Sequence, residues 1–295
     1  MNGVIPLWKP KGMTSHDCVS RIRQIFKTKK VGHTGTLDPD AEGVLPICVG
    51  KATKIASLLT LNNKEYEAEI SLGQSTTTED LAGEIVEKKN VDQSFTIDEC
   101  ESVLSGFQGW ITQVPPMYSA IRVDGKRLYE YAREGIEVER PSRQVNIYEI
   151  KMLSDELTWY NDCDVRFNFK VACSSGTYIR TLCVDIGHKL GYPAHMSRLI
   201  RTQAGDFPID QTVTFEELEQ SKAESLISLA DVLTLPSYTI SPDEEYRFRH
   251  GQVLELPEEL EDVSTFKVIT ESNELIAVYQ HHPSKVGKMK PYKVF

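Results

Sequence analysis

The chain has 295 residues, 40% of them apolar, enough to fill a core in one large or two moderate domains. No run approaches the roughly 20 apolar residues of a membrane span, and the start MNGVIPLWKPKG carries charge too early for a secretory leader, so the expected location is the cytoplasm. The net charge of −10 argues against a polyanion binder, yet residues 1–60 hold nine lysines and arginines against four acids, while residues 210–264 hold three against fourteen; a polyanionic partner on one face fits this pattern, and so does plain solvated charge.

Along the chain, Val4 to Trp8 reads as a short strand. A helix follows from about Ser15, with Val19, Ile22, Ile25 and Phe26 at helical spacing and Arg21, Arg23 and Lys27 largely off that face. In VGHTGTLDPDAEGVLPICVG, residues 31–50, Pro39 disfavours helical geometry at Asp38. Gly32, Gly35 and Gly43 are expected to give positive φ or close backbone approach, and Val44, Leu45, Ile47, Cys48 and Val49 a buried anchoring strand. Asp38 is then either an ordinary Asp-Pro turn acid or a reactive carboxylate, and His33, Thr34 and Thr36 crowd polar chemistry around it. Tyr66, Ala68, Ile70 and Leu72 alternate with glutamates as a half-buried strand, which places Tyr66 in the core or in a pocket wall. Thr96 and Glu99 form a capping box before a helix carrying Cys100, Val103, Leu104 and Phe107.

From Pro115 to about Arg143, with a hairpin signal at Asp124-Gly125, aromatics alternate with bases: Tyr118, Arg122, Lys126, Arg127, Tyr129, Tyr131 and Arg133. Such a segment suits stacking on unpaired RNA bases and neutralising phosphates, or equally an amphipathic helix packed on a sheet. Val165 to Cys173 alternate as a strand, and SSGT turns into a helix with Ile179, Leu182, Cys183, Ile186 and Leu190 on one face, ended by Gly191 and Pro193. Tyr178 and Arg180 therefore sit at a strand-to-helix corner, where Arg180 is a site residue or a surface ion-pair partner. Beyond Pro236, short β-like runs alternate with polar turns. The six cysteines show no CxxC spacing and read as reduced core thiols.

His33, Asp38 and Asp40 are potential metal ligands, but no HxxEH or cysteine cluster accompanies them. There is no GxSxG elbow for a serine hydrolase, and the glycine-rich stretch lacks the Walker lysine and hydroxyl. What remains is one acid, one arginine and one tyrosine in RNA-like surroundings.

Taken in order, GHTGTLDPDAEGVLPICVGKATK, KEYEAEISLG and GTYIRTLCVDIG resemble the three catalytic motifs of the TruB family of pseudouridine synthases, and the similarity runs from WKPKGMTSHD to SRLIRTQAGDF. The resemblance implies an α+β pseudouridine synthase fold, with a mixed, mainly antiparallel central sheet flanked by helices. It divides the chain into a catalytic domain over 1–236, with an RNA-binding insertion at about 115–143, and a short, acidic, β-rich PUA-like domain over 237–295. It implies isomerisation of the uridine at position 55 of the tRNA T loop, with Asp38 as the catalytic carboxylate. Tyr66 would stack on the flipped uracil and assist proton removal, and Arg180 would pair with Asp38, lower its pKa and aim it. By the same resemblance His33 helps hold the T loop open, and Tyr178 and Leu199 line the pocket. The expected partner is the T arm of tRNA, with no DNA, no membrane, no cofactor and no metal, for a monomeric enzyme. A non-catalytic RNA-binding or chaperone protein, and a pseudouridine synthase for another RNA, are the alternatives. Asp40 and Glu42 would oppose an RNA backbone unless they point outward.

Overall fold

Seven strands run side by side in the order Gly3–Lys9, Glu42–Val49, Ala194–Ala204, Lys64–Leu72, Asp164–Cys173, Arg143–Met152 and Gly109–Gln113 in the computed structural model, which describes residues 1–60, 63–222 and 224–295. Val31–His33, Thr158–Asn161 and Phe207–Pro208 add short strands at its margins. Every junction along this path is antiparallel except one, a parallel contact that pairs Ile200 with Glu42 and Arg201 with Gly43. Gly43 has φ 110°, and a Cβ there would lie 2.2 Å from the Arg201 carbonyl oxygen, so only glycine lets the two strands approach. The sheet is mixed and mainly antiparallel, as the sequence led one to expect.

The period-two pattern sets the layers. Tyr66, Ala68, Ile70 and Leu72 share one face with Val165, Phe167, Phe169 and Val171, and all are buried. Three helices cover that face, Ser15–Phe26, Ile97–Ser105 and Ile179–Leu190, through Val19, Ile22, Leu104, Leu182 and Ile186. Each fully buried aliphatic side chain contributes about 1.5–3 kcal/mol. The helices begin and end where their caps dictate: Thr14 with Asp17 and Thr96 with Glu99 form capping boxes, and Gly191 closes the third helix at φ 83°. On the opposite face the alternating polar residues pair with one another, Lys170 with Glu65 at 2.9 Å and Arg166 with Glu69 at 3.2 Å.

Glu42–Val49 is buried on both faces, which explains its continuous apolar run. Leu45, Ile47 and Val49 belong to the main core, whereas Val44 and Cys48 meet Leu275, Val278 and Phe295 of a second, five-stranded sheet. That sheet runs Ser237–Ile240, Thr265–Thr270, Leu275–His281, Lys288–Val294, Leu254–Glu255 and has its own core, in which Phe248 and Tyr279 meet edge to face at 5.1 Å. The insertion forms a hairpin, Arg122–Val123 with Lys126–Arg127, followed by the helix Leu128–Arg133. Asp124 and Gly125 turn it at φ 49° and 83°.

Two sequence expectations need correcting. Gly32 lies inside the Val31–His33 strand with no positive φ and open space where a Cβ would stand, so neither proposed reason for a glycine applies. Cys163 is half-buried at a loop, where it touches the Asn90 side chain, while the other five cysteines are core thiols as expected.

Candidate active site

The loop carrying Asp38 is fixed through its backbone. Lys9, at the end of the first strand and fully buried, donates from Nζ to the carbonyls of Pro39 at 3.0 Å, Ala41 at 2.6 Å and Pro10 at 3.0 Å. The Ser15 hydroxyl, at the start of the first helix, accepts the Leu37 N–H at 2.9 Å and donates to the Leu37 carbonyl at 3.1 Å. Residues on both sides of Asp38 are thereby anchored, and the carboxylate itself is left for other work.

Arg180 takes it up. From the first turn of Ile179–Leu190, and only 5% exposed, Arg180 places Nε 2.9 Å from Asp38 Oδ2 and donates from Nη2 to Oδ1 at 3.3 Å. The rest of its fork is occupied: Nη1 donates to the Thr78 carbonyl and Nη2 to the Tyr118 carbonyl, both at 2.9 Å, with Asp80 Oδ2 3.9 Å from Nε. A planar guanidinium so held aims one carboxylate in one direction. Asp38 still shows 36% of its side-chain surface to the cavity, yet the protein around it removes enough water to raise its pKa above the usual carboxylate value. Arg180 and Lys9 pull the pKa down and Asp80 adds to the rise. The expectation that Arg180 lowers the pKa is right for the pair alone; loss of hydration outweighs it and the net direction is up.

Tyr66 stands on the core face of Lys64–Leu72, opposite Arg201 in register, and is 8% exposed. Its hydroxyl lies beside the Arg201 guanidinium; burial raises the phenol pKa, and Arg201 opposes the rise. His33 accepts the Gly35 N–H on Nδ1 at 3.3 Å, which leaves its ring proton on Nε2, and burial followed by the Arg201 charge pushes its pKa down, toward the neutral ring. Tyr178 occupies the N-cap position of Ile179–Leu190. Buried Gln113 clamps its backbone, donating to the carbonyl at 3.1 Å and accepting the N–H at 3.0 Å, while Arg143 lies over its ring at 4.7 Å. Leu199 completes the wall from the Ala194–Ala204 strand. All six residues singled out from the sequence, His33, Asp38, Tyr66, Tyr178, Arg180 and Leu199, line one cavity of about 970 Å³.

Comparison with known proteins matches two family models: TruB family pseudouridylate synthase, N-terminal domain, over residues 23–179, and tRNA pseudouridylate synthase B, C-terminal domain, over residues 180–236. The chain belongs to the TruB family. It is 52% identical to the tRNA pseudouridine synthase B of Bacillus subtilis over 303 residues and 50% identical to that of Halalkalibacterium halodurans over 300, covering 100% of this chain and 97% of each relative. Among solved structures it resembles a chain of a Cbf5-Nop10-Gar1 complex, with TM-score 0.70 and 26% identity over 99% of this chain and 84% of that one. A chain of an H/ACA RNP bound to a substrate RNA containing 2'-deoxyuridine aligns with TM-score 0.68, also at 26% identity over 99% and 84%. The TruB chain described here is thus a pseudouridine synthase, with the fold of that class.

Sequence reasoning missed four residues of this TruB site: Lys9, Asp80, Gln113 and Arg201. Lys9 stood in the quoted WKPKG and Arg201 in SRLIRTQAGDF, but their partners are backbone carbonyls far along the chain, which no local pattern announces. Asp80 follows Glu79, a non-glycine residue at φ 62°, and that backbone outlier has no sequence signature. Asp40 and Glu42 line a separate recess of about 350 Å³ that shares Asp38 and Leu199 with the main cavity, and so do not face Tyr66. In the insertion, Tyr118, Arg127 and Tyr129 border the main cavity, while Leu128 is core and Tyr131 donates to the Val123 carbonyl. The packed-helix reading therefore holds for Leu128, while Tyr118, Arg127 and Tyr129 are left on the cavity side.

Proposed function

We propose that this chain isomerises uridine to pseudouridine at position 55 of the tRNA T loop, with Asp38 as the catalytic carboxylate. The observation that carries the reading is the Arg180–Asp38 pair set into a cavity beside the ring of Tyr66. A uridine reaches such a depth only by leaving its stack, at a cost of a few kcal/mol, which stacking on an aromatic ring offsets by about 1–3 kcal/mol. Tyr66 provides the ring, Leu199 and Tyr178 the walls, and His33 holds the loop open on the approach side. Asp38, ionised and aimed by Arg180, attacks C1' or takes the proton from C2'; both routes release the base from N1 and let it return through C5. The exchange of one glycosidic bond for another within a nucleotide needs no redox partner, so we infer no cofactor. Residues 1–236 form the catalytic domain on this reading. The 115–143 insertion grips the T arm, 237–295 act as a reduced PUA-like domain, and the enzyme works as a monomer in the cytoplasm.

Tritium release from a T-arm RNA labelled at uridine C5 tests it. The wild type should release label and Asp38→Asn should release none, while RNA affinity changes by no more than about threefold. Label retained by the wild type with tight RNA binding would instead support a chaperone, and release from an RNA whose only labelled uridine lies outside position 55 would move the target.

A further inference from the structure

Arg201 is among the largest fully enclosed side chains of the molecule, 2% exposed, and it borders the cavity. Its backbone faces Gly43 on one side and Tyr66 on the other. Nε donates to the Val44 carbonyl at 2.7 Å, Nη2 to the Gly35 carbonyl at 3.3 Å and Nη1 to the Thr36 carbonyl at 3.4 Å, and the guanidinium also meets the Tyr66 hydroxyl. Among the described residues no carboxylate forms an ion pair with it. Arg180, by contrast, has Asp38. A buried guanidinium balanced only by carbonyl dipoles is costly to keep. The groups around Tyr66 and Arg201 do not supply the missing negative charge: His33 and Lys64 are bases, Cys173 is pushed up to about 11 and stays a thiol, and Asp38 is engaged by Arg180.

The reaction proposed above creates the missing negative charge. When the N1–C1' bond breaks, its electron pair leaves with the uracil. When the C5–C1' bond forms, the C5 proton departs and N1 acquires one, so the composition is restored. Between those events the base is anionic in a cavity poor in water. Resting on that functional reading, we propose that Arg201 is a positioning residue for the detached base: through the Tyr66 hydroxyl it supplies the fixed positive charge that stabilises the uracil anion. Its cost in the resting protein is offset at that stage, because a preorganised charge needs no reorientation when the anion appears.

Single-turnover tritium release from a T-arm stem-loop, measured for Arg201→Met and Arg201→Lys with Tyr66 present or replaced in Tyr66→Phe, separates this role from simple support of the loop. Arg201→Met should slow the maximal rate by about 10²–10³-fold with half-saturating RNA changed by less than about threefold. Arg201→Lys, which keeps the charge, should stay within about tenfold of wild type, and in the Tyr66→Phe background Arg201→Met should cost no more than about threefold further. Equal losses in both Tyr66 backgrounds, equal losses for Lys and Met, or a loss confined to RNA affinity would overturn the proposal. Should Arg201→Met fail to fold, the wild type answers alone. With a T-arm RNA abasic at the target position, 5-nitrouracil, anionic at neutral pH, should bind at least about tenfold more tightly than neutral thymine, and equal binding overturns the proposal. Absence of tritium release by the wild type would refute the isomerase reading itself; release by the wild type with any of the overturning patterns would refute only this role for Arg201.

Discussion

The cavity and the C-terminal region differ in how most of their paired cations are held. Around the cavity, Lys9, Arg180 and Arg201 are buried and most of their hydrogen bonds go to backbone carbonyls, eight in all. Among the described residues of the C-terminal region Lys267 alone repeats that pattern, donating to the Ala230 and Leu233 carbonyls, whereas Arg249, on the helix Pro242–Arg249, pairs with Glu245 and Glu274, and Lys288 with Glu255. Carbonyls are fixed by the fold, so a cation bound to them inherits the rigidity of the chain. Side-chain carboxylates at a surface are mobile and screened. The first arrangement fixes atoms in place; the second leaves them free to move.

The sharpest way to break that contrast is Arg180→Met. It should lower the maximal rate by at least about 10²-fold, and pH–rate profiles should show a second change. Burial holds the Asp38 pKa above the usual carboxylate value, and the proposed mechanism needs the ionised form, so activity should fall as pH drops through that raised pKa. Removing Arg180 leaves burial opposed by Lys9 alone, raises the pKa further and shifts the acid limb to higher pH. The corresponding sign for stability is that of an acid raised on folding: its favourable contribution is present at low pH and lost as pH rises through the folded pKa. An acid limb that does not move would mean that Arg180 only fills space.

Lys9→Met should cost about 2–4 kcal/mol of stability, because the Pro39 and Ala41 carbonyls lose their buried donor. Chemical denaturation measures this directly, and turnover at a temperature where the variant remains folded should fall with it. Tyr129→Ala, at the cavity mouth between Arg127 and Arg133, should weaken T-arm affinity by about 1–3 kcal/mol while leaving the single-turnover rate unchanged; an equal fall in rate would place this ring in the chemistry. The smallest effect belongs to the C-terminal region, where Arg249→Ala should shift stability by less than about 1 kcal/mol, and less again in high salt.

Much of the site was legible because it is written locally. Asp38 before Pro39, Tyr66 on an alternating strand and Arg180 after SSGTY are each recognisable within a dozen residues, and the structure brings all three to one cavity. The capping box at Thr96 and the glycine stop at Gly191 were equally local. What sequence could not show was long-range. The strands Gly109–Gln113, Arg143–Met152 and Ala194–Ala204 take their places from pairing rather than from pattern alone. The direction of the Asp38 pKa depends on how much water a cavity wall excludes, which the identity of its neighbour cannot tell. The acidic C-terminal segment looked separable, yet Leu275, Val278 and Phe295 seal the underside of the strand that follows Asp38. Deleting it would expose that strand, so point substitutions are the sounder probe of its part in RNA binding.

The parallel contact of Ile200 and Arg201 with Glu42 and Gly43 also bears on how the protein is made. Asp38 and Tyr66 both belong to the first quarter of the chain, and Arg201 lies near the end of the strand, some 130 residues later, that joins the two. A ribosome-bound chain halted before residue 194 already contains Asp38, Tyr66 and Arg180, but it lacks the strand that sets Asp38's loop against Tyr66. The nascent chain therefore holds Asp38 and Tyr66 without an assembled cavity until that strand has been made.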